Sequence, residues 1–198
     1  MFVAFRILSS VIFPDSIHRF FSRQANGNIF TIKAKTQPIA IKSFDVNMAG
    51  PPAPNPAPLE IWFLPYVDPG DRTAKPYYQI ALKENITGAG FGKATSLPAM
   101  ETPITIPAGA TYSFYITIAN MTLGTTLGFT RGSGVGSVAA SDDHLEIGEG
   151  YVLPYPFRSY TADMRWNGKS CFIFTRSSLF QITVTHPSFR KAMSTTLL

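Results

Sequence analysis

The segment from Ser141 to Gly150 concentrates the residue types that can do chemistry. It holds four of the chain's twelve acidic residues and one of its three histidines: Asp142, Asp143, Glu146, Glu149 and His144. Ca²⁺ is held by about six to eight oxygen ligands, which can be carboxylates or backbone carbonyls. Asp142, Asp143 and Glu146 are therefore candidate metal ligands, and Ca²⁺ is the one cofactor that the sequence suggests.

A structural interpretation of this segment stays open beside the metal site. The spacing does not match the Asp-x-Asp-x-Asp-Gly loop of an EF-hand. Ser141-Asp142-Asp143 can instead form a turn capped by its own side chains, with Glu146 and Glu149 pointing to solvent. His144 beside an aspartate is half of an acid–base pair, but no motif places a Ser or Cys nucleophile near it. We assign no catalytic residue and predict a non-catalytic protein.

Aromatic residues follow the acidic segment along the chain. Trp166 precedes Asn167-Gly168 at a predicted hairpin, because Asn-Gly favours the primed turns of two-residue loops. An exposed Trp166 could stack on a sugar ring together with Tyr155, whereas a buried one would belong to the core, where tryptophan mostly lies. Trp166, Tyr155 and His144 are the candidate ligand-binding residues.

The net charge of +5 is unevenly distributed along the chain. Residues 1–24 carry three Arg and one Asp, residues 25–163 carry nine basic and eleven acidic groups, and residues 164–198 carry five basic groups and no acidic one. A protein that binds nucleic-acid phosphates needs its Lys and Arg on the surface of the folded domain, but here the excess of positive charge lies towards the two ends of the chain. We predict no nucleic-acid binding.

The rest of the chain indicates an all-β protein. Gly and Pro together number 31, and Phe30, Ile32 and Ala34 alternate with polar residues as in a strand with one buried face. The apolar side then slips by one residue at Ser43, which predicts a β-bulge there. Five prolines between Gly50 and Pro58 predict an extended loop rather than a paired strand.

The stretch from Ile104 to Ile118 predicts a short strand, a Pro-Ala-Gly turn and a long strand, a unit that is frequent in jelly-roll folds. With the other alternating segments, it leads to about eight to ten strands without intervening helices. We predict an antiparallel β-sandwich of jelly-roll type.

The chain divides into three parts by composition. Residues 1–24 are an N-terminal extension or a targeting-like segment, whose Arg- and Ser-containing character fits an organelle presequence better than a secretory signal. Their apolar run is too short to span a bilayer and is broken by Arg6 and Pro14, so we predict no transmembrane span. Residues 25–176 form the β-sandwich module, and residues 177–198 are a tail that can add an edge strand.

Five motifs in register resemble a β-rich module repeated in secreted and cell-surface proteins of marine microalgae of the diatom type and marine bacteria. They are Asn26 to Ala34, Ile104 to Ile118, Ala140 to Gly150, Tyr155 to Phe157, and Trp166 to Gly168. The resemblance covers about residues 25 to 176. This chain departs from the family in having a single copy and a longer C-terminal tail.

The resemblance implies an extracellular or cell-surface location and no assigned enzymatic activity. The expected function is that of a non-catalytic structural, adhesive or scaffolding module whose partner is a protein or a polysaccharide of a cell surface or matrix. A carbohydrate-binding or calcium-dependent recognition module is the alternative. A glycoside hydrolase is a third hypothesis, and it would require two carboxyl groups facing each other across a groove.

Overall fold

The structure, a computed structural model, describes residues 23–49, 56–70, 75–90, 92–119, 125–157, 161–166 and 168–174. The first 22 residues of the predicted extension and the whole predicted tail lie outside these ranges. Within these ranges, the regular elements are thirteen strands and one turn of 3₁₀ helix, Lys75–Tyr77. They are β1 (Arg23–Ala25), β2 (Gly27–Ala34), β3 (Ile39–Ala49), β4 (Ala57–Leu64), β5 (Gln79–Ile86), β6 (Ala94–Ser96), β7 (Ile104–Ile106), β8 (Thr111–Ile118), β9 (Thr126–Arg131), β10 (Val138–Ser141), β11 (Leu145–Leu153), β12 (Thr161–Trp166) and β13 (Gly168–Phe174).

The all-β prediction is confirmed, and the pairings between the described strands are antiparallel. The predicted strand number was too low, since the described ranges alone hold thirteen. Strands β1 and β6 have three residues each, which is too few for an alternating pattern to be recognised in the sequence.

The strands form one continuous sheet in the order β13-β3-β9-β12-β11-β2-β8-β4-β5, to which β1, β6, β7 and β10 pair at the side. This sheet is strongly curled. Phe44 of β3 contacts Phe30 of β2 at 6.0 Å and Phe114 of β8 at 5.4 Å between ring centroids, although three strands separate β3 from β2 in the sheet. The sandwich and jelly-roll forms stay predictions.

The β-bulge predicted near Ser43 is confirmed. Opposite β13, Cys171 pairs with Ser43 and Phe172 pairs with Ile41, so Lys42 is the extra residue. The extra residue lets Ile41 and Phe44 both enter the core, where each is 0% exposed. The turn-and-strand unit from Ile104 to Ile118 is also present, as β7, a turn and β8.

Two other sequence predictions need correction. Pro58 is not in a loop but in β4, where it pairs with Asn85 of β5; residues 50–55 of the predicted loop lie outside the described ranges. Trp166 and Gly168 do not begin and end a paired hairpin, since β12 pairs with β9 and β11 while β13 pairs with β3. Gly168 packs directly on the indole ring of Trp166, where a Cβ atom would overlap the ring.

The sheet buries apolar residues on both of its faces. The main core contains the aromatic residues Phe30, Phe44, Phe114, Phe129 and Trp166. We call the opposite face of β2, β4, β5, β8 and β11 the outer face. It carries a second, smaller cluster formed by Ile29, Leu64, Tyr78, Tyr115 and Leu153.

Candidate functional site

Asp142 caps the turn between β10 and β11. Its Oδ1 accepts hydrogen bonds from the backbone N–H groups of His144 at 2.8 Å and Leu145 at 2.9 Å. The backbone N–H of Asp142 donates to the carbonyl of Leu145 at 3.1 Å. This is the geometry of the capped turn that was the structural alternative to a metal site.

The ammonium group of Lys35 contacts oxygen atoms that a calcium ion at this site would use as ligands. Nζ of Lys35 donates to Oγ of Ser141 at 2.7 Å and to the carbonyl oxygen of Asp142 at 2.5 Å. Glu146 pairs with both Lys33 at 3.7 Å and Lys35 at 3.8 Å. A bound cation at this position would have to displace the Lys35 ammonium group.

The three predicted metal ligands are not brought together. Asp142 is engaged in the turn, Asp143 is exposed, and Glu146 lies in the ion pairs with the lysines. Among the residues that the structure describes, no three His, Cys, Asp or Glu side chains are arranged to hold a metal ion.

The three candidate ligand-binding residues lie in different surroundings. Trp166 is 5% exposed and stacks on Phe30 in the main core at 4.3 Å, so the buried alternative is the one that the structure shows. His144 is half-buried, with its ring centroid 6.4 Å from that of Phe172. Tyr155 is half-buried in the turn after β11. Trp166 therefore does not provide, with Tyr155, the sugar-stacking surface that an exposed tryptophan would have offered.

Glu149 does not point to solvent as predicted from the sequence, and this prediction is wrong. Its side chain is 0% exposed, whereas the capped-turn interpretation had it in solvent. Oε1 accepts from Nε of Arg165 at 3.2 Å and Nη2 at 2.9 Å. Oε2 accepts from the backbone N–H groups of Ser133 at 2.5 Å and Gly134 at 3.0 Å. The register of β11 shifts on β2 between Gly148 and Tyr151, which interrupts the alternation on which the solvent assignment depended.

The pKa of Glu149 reflects these contacts. Burial by itself raises the pKa of a carboxyl group. Here the hydrogen bonds from Gly134, Arg165 and Ser133, together with the charge of Arg165, outweigh burial and hold the pKa of Glu149 below its ordinary value. The group is therefore an ionised structural anchor rather than a proton donor at neutral pH.

The glycine-rich loop Gly132–Ser137 wraps around Glu149. Gly136 N–H donates to the Glu149 carbonyl at 3.0 Å, and the Glu149 N–H donates to the carbonyl of Ser137 at 2.8 Å. Val135 N–H donates to Oδ1 of Asp163 at 3.1 Å. Consecutive backbone N–H groups directed at carboxylates form an anion-holding nest, which here is filled by the protein's own acids. The sequence analysis did not predict this loop, although the Gly-x-Gly-x-Gly spacing of residues 132–136 could have indicated it.

A groove of about 290 Å³ lies on the outer face, between this loop and the loop that follows β4. Its floor is formed by Gly148, Thr31 and Ser113, which are neighbours across β11, β2 and β8. A Cβ atom on Gly148 would overlap Oγ1 of Thr31, so only glycine fits here, and its lack of a side chain leaves the floor of the groove open. We call this feature the outer groove.

Exposed valines form the two walls of the outer groove. Val67 is 55% exposed on one side, and Val135 and Val138 are 42% and 54% exposed on the other. Lys33 and Glu146, which are paired across β2 and β11, lie at one end. Of the residues predicted to bind metal or ligand, Glu146 alone lines the groove.

Asp68 holds the Val67 wall in place. Its Oδ1 accepts from the N–H of Gly70 at 2.6 Å, its Oδ2 accepts from the hydroxyl of Tyr78 at 2.9 Å, and its own N–H donates to Oγ of Ser113 at 2.8 Å. Burial and then the charge of Asp68 raise the pKa of Tyr78, which therefore stays protonated and donates. Burial likewise raises the pKa of the neighbouring Tyr115 to about 12.

Comparisons with models of known protein families and with curated proteins found no match to this chain. The resemblance to the marine module thus stays a prediction from the motifs. Within the described ranges, no helix has the length and apolar character needed to cross a membrane.

Proposed function

We propose that this chain is a non-catalytic recognition module of the adhesive or scaffolding kind, from a secreted or cell-surface type of protein, and that it binds its partner in the outer groove. The observation that carries the proposal is the shape of this groove, with a floor of small residues between two walls of exposed valines. Concave, mostly apolar sites with a few polar groups are typical of ligand binding.

The charged groups around the groove support binding rather than acid–base chemistry. The carboxylate of Asp68 is held by Gly70 and Tyr78, and Glu149 is held by Arg165 and the glycine-rich loop. Glu146 is paired with lysines. Each of these carboxylates already has a structural role, whereas general acid–base catalysis needs a group that can reach the reacting atoms and exchange a proton.

Carbohydrate recognition is the second candidate, and the floor of the groove favours it. Thr31, Thr111 and Ser113 place hydroxyl groups between apolar walls, and Tyr151 lines the same groove. A sugar ring presents hydroxyls at its edge and apolar C–H faces, which matches such a lining. The volume lies near the lower end of the range of small-molecule sites, about 300–1,000 Å³, and fits one ring-sized group.

The test is an NMR titration of the isotope-labelled full chain, in which the amide chemical shifts are recorded. The ligands are soluble oligosaccharides of the neutral and uronic-acid types and a soluble extracellular-matrix protein. We expect the shifts to cluster at Thr31, Ser113 and Gly148. The Val138→Arg variant places a charged side chain in one wall and should weaken binding at least tenfold.

A matched control is Thr105→Arg on β7, an exposed residue outside the groove. It should bind as the wild type does. Binding that survives Val138→Arg unchanged, or shifts that cluster away from the groove, would contradict the proposal.

A further inference from the structure

The sequence Asn85-Ile86-Thr87 has the Asn-x-Thr spacing of an N-glycosylation acceptor. It lies at the end of β5, where Asn85 is the penultimate residue of the strand and Thr87 follows the strand directly. The chain has a second triplet of this kind, Asn120-Met121-Thr122, which lies outside the described residues.

The geometry of the Asn85 triplet presents both of its polar residues to solvent. Asn85 and Thr87 are exposed, whereas Ile86 between them is 8% exposed and belongs to the main core. Successive side chains of a strand point to opposite sides, so burial of Ile86 directs the acceptor amide and the threonine hydroxyl outward together.

Strand β5 is an edge of the sheet in the part of the chain that the structure describes, where it pairs with β4 alone. Opposite Asn85 stands Pro58. An exposed edge strand invites pairing with another chain, and proteins protect such edges with charge, proline or covering groups. A bulky, hydrophilic group on Asn85 would protect this one.

Apolar surface lies on the outer face of the same two strands, five residues from Asn85 along β5. Ile80 of β5 is 48% exposed and pairs with the half-buried Trp62 of β4. Lys83, between Ile80 and Asn85, reaches across to the buried Glu60 at 3.1 Å. A group attached to Asn85 would stand above this row of side chains, two strands away from the floor of the outer groove.

We propose that Asn85 carries an N-linked glycan that covers the outer face of β5. The donor is an oligosaccharide linked to a lipid through pyrophosphate. The amide nitrogen of Asn85 forms a bond to the anomeric carbon of the sugar and loses one proton, while the bond from that carbon to the pyrophosphate oxygen breaks and releases the lipid pyrophosphate. This inference rests on the secreted or cell-surface location in the proposed function.

The experiment expresses the full chain behind a cleavable secretory signal in eukaryotic cells and maps its peptides by mass spectrometry before and after treatment with peptide N-glycosidase. This enzyme leaves aspartate where a glycosylated asparagine stood. Wild type and Thr87→Ser should carry the glycan at Asn85, whereas Asn85→Gln and Thr87→Ala should lose it completely. Asn120→Gln is the matched control and should leave the glycan on Asn85 unchanged.

Protein from both the medium and the membrane-enclosed fraction of the cells is analysed. The modification of Asn85 can therefore be determined even if the protein is not secreted. An unmodified Asn85 in either fraction of the wild type overturns the proposal, whether or not Asn120 is modified. The groove titration uses unglycosylated protein from bacteria, so a failure of the glycan proposal and a failure of groove binding are separate results.

Discussion

A buried carboxylate is tolerated only when the protein replaces the hydration that it loses. Glu149 meets this condition with two bonds from Arg165 and two from the backbone of the glycine-rich loop. Hydrogen bonds to a charged group contribute about 1.5–3 kcal/mol to stability. Glu149 thus ties β11, β12 and the wall of the outer groove together.

We expect Glu149→Gln to lower the free energy of unfolding by about 1.5–3 kcal/mol, because the amide keeps the shape but loses the charge that Arg165 and the two N–H groups face. Urea unfolding at neutral pH measures this. Glu84→Gln, an exposed acid on β5, is the control and should change stability by less than about 0.5 kcal/mol.

The pH dependence of stability, measured for the wild type and for Glu149→Gln, tests the titration of Glu149. Its folded pKa is depressed below the ordinary value of 4.5, so its contribution is present above that pH and is lost as the pH falls through the folded pKa. The stability difference between wild type and Glu149→Gln should therefore shrink below pH 4.5. A difference that stays constant in acid would show that the charge of Glu149 does not matter.

Asp142 and Asp143 are neighbours with unequal roles. Asp142→Ala leaves two backbone N–H groups without their acceptor and should cost about 1–3 kcal/mol, whereas Asp143→Ala changes an exposed side chain and should cost less than about 0.5 kcal/mol. Thermal unfolding of both variants gives the comparison.

The same unfolding experiment, carried out with EDTA and with millimolar Ca²⁺, tests the metal prediction. We expect no difference, because the Lys35 ammonium group contacts the oxygens in question. Calcium at one hundred times its Kd would stabilise the protein by about 2.7 kcal/mol. A stabilisation of that size, abolished by Asp142→Ala, would reverse our interpretation.

At the scale of elements, the glycine-rich loop depends on backbone conformation as well as on Glu149. Gly136 has a φ of +82°, a conformation that side chains other than glycine disfavour, although there is open space around it. Gly134, two residues earlier, has ordinary room for a Cβ atom, 3.4 Å from the Ser137 hydroxyl. These two glycines form a matched pair in one loop.

We expect Gly136→Ala to destabilise the protein by about 1–2 kcal/mol and Gly134→Ala to have little effect, because the left-handed conformation penalises a Cβ atom. Chemical denaturation of the two variants distinguishes them. Equal effects would mean that the loop adjusts its backbone freely, and that it is not a fixed wall of the groove.

At the scale of the whole molecule, the curl of the sheet is maintained by aromatic contacts between strands that are not neighbours. Phe44 touches Phe30, Phe114 and Trp166, which come from three other strands. Aromatic pairs of this kind add about 0.5–1.5 kcal/mol beyond the burial of their area. The curl also leaves the outer face of β2, β8 and β11 open for the groove.

We expect Phe44→Ala to cost about 3–5 kcal/mol, since it removes a fully buried ring and leaves a cavity among the other three. Tyr77→Ala, at a 64% exposed tyrosine, is the control and should be nearly neutral. Equilibrium unfolding of both proteins gives the two values. A small loss for Phe44→Ala would mean that the curl does not depend on this contact.

The fold class could be predicted from the sequence alone, because the alternating residues in β2 and β8 and the bulge beside Ser43 are local patterns with a period of two. The sequence also identified the acidic segment, the capped turn as one of its two interpretations, and the Asn85 triplet, since each of these depends on residues close together in the chain.

The partners of these residues could not be predicted from the sequence and became visible only in the folded chain. Lys35 lies 107 positions from Asp142, and Arg165 lies 16 from Glu149, so no local pattern could reveal either contact. The burial of Trp166 and the outer groove follow from the curl of the sheet, which depends on packing between distant strands. The periodicity of the sequence indicates which side of a strand is apolar. It does not indicate the partner of each side chain, because that partner comes from a distant part of the chain.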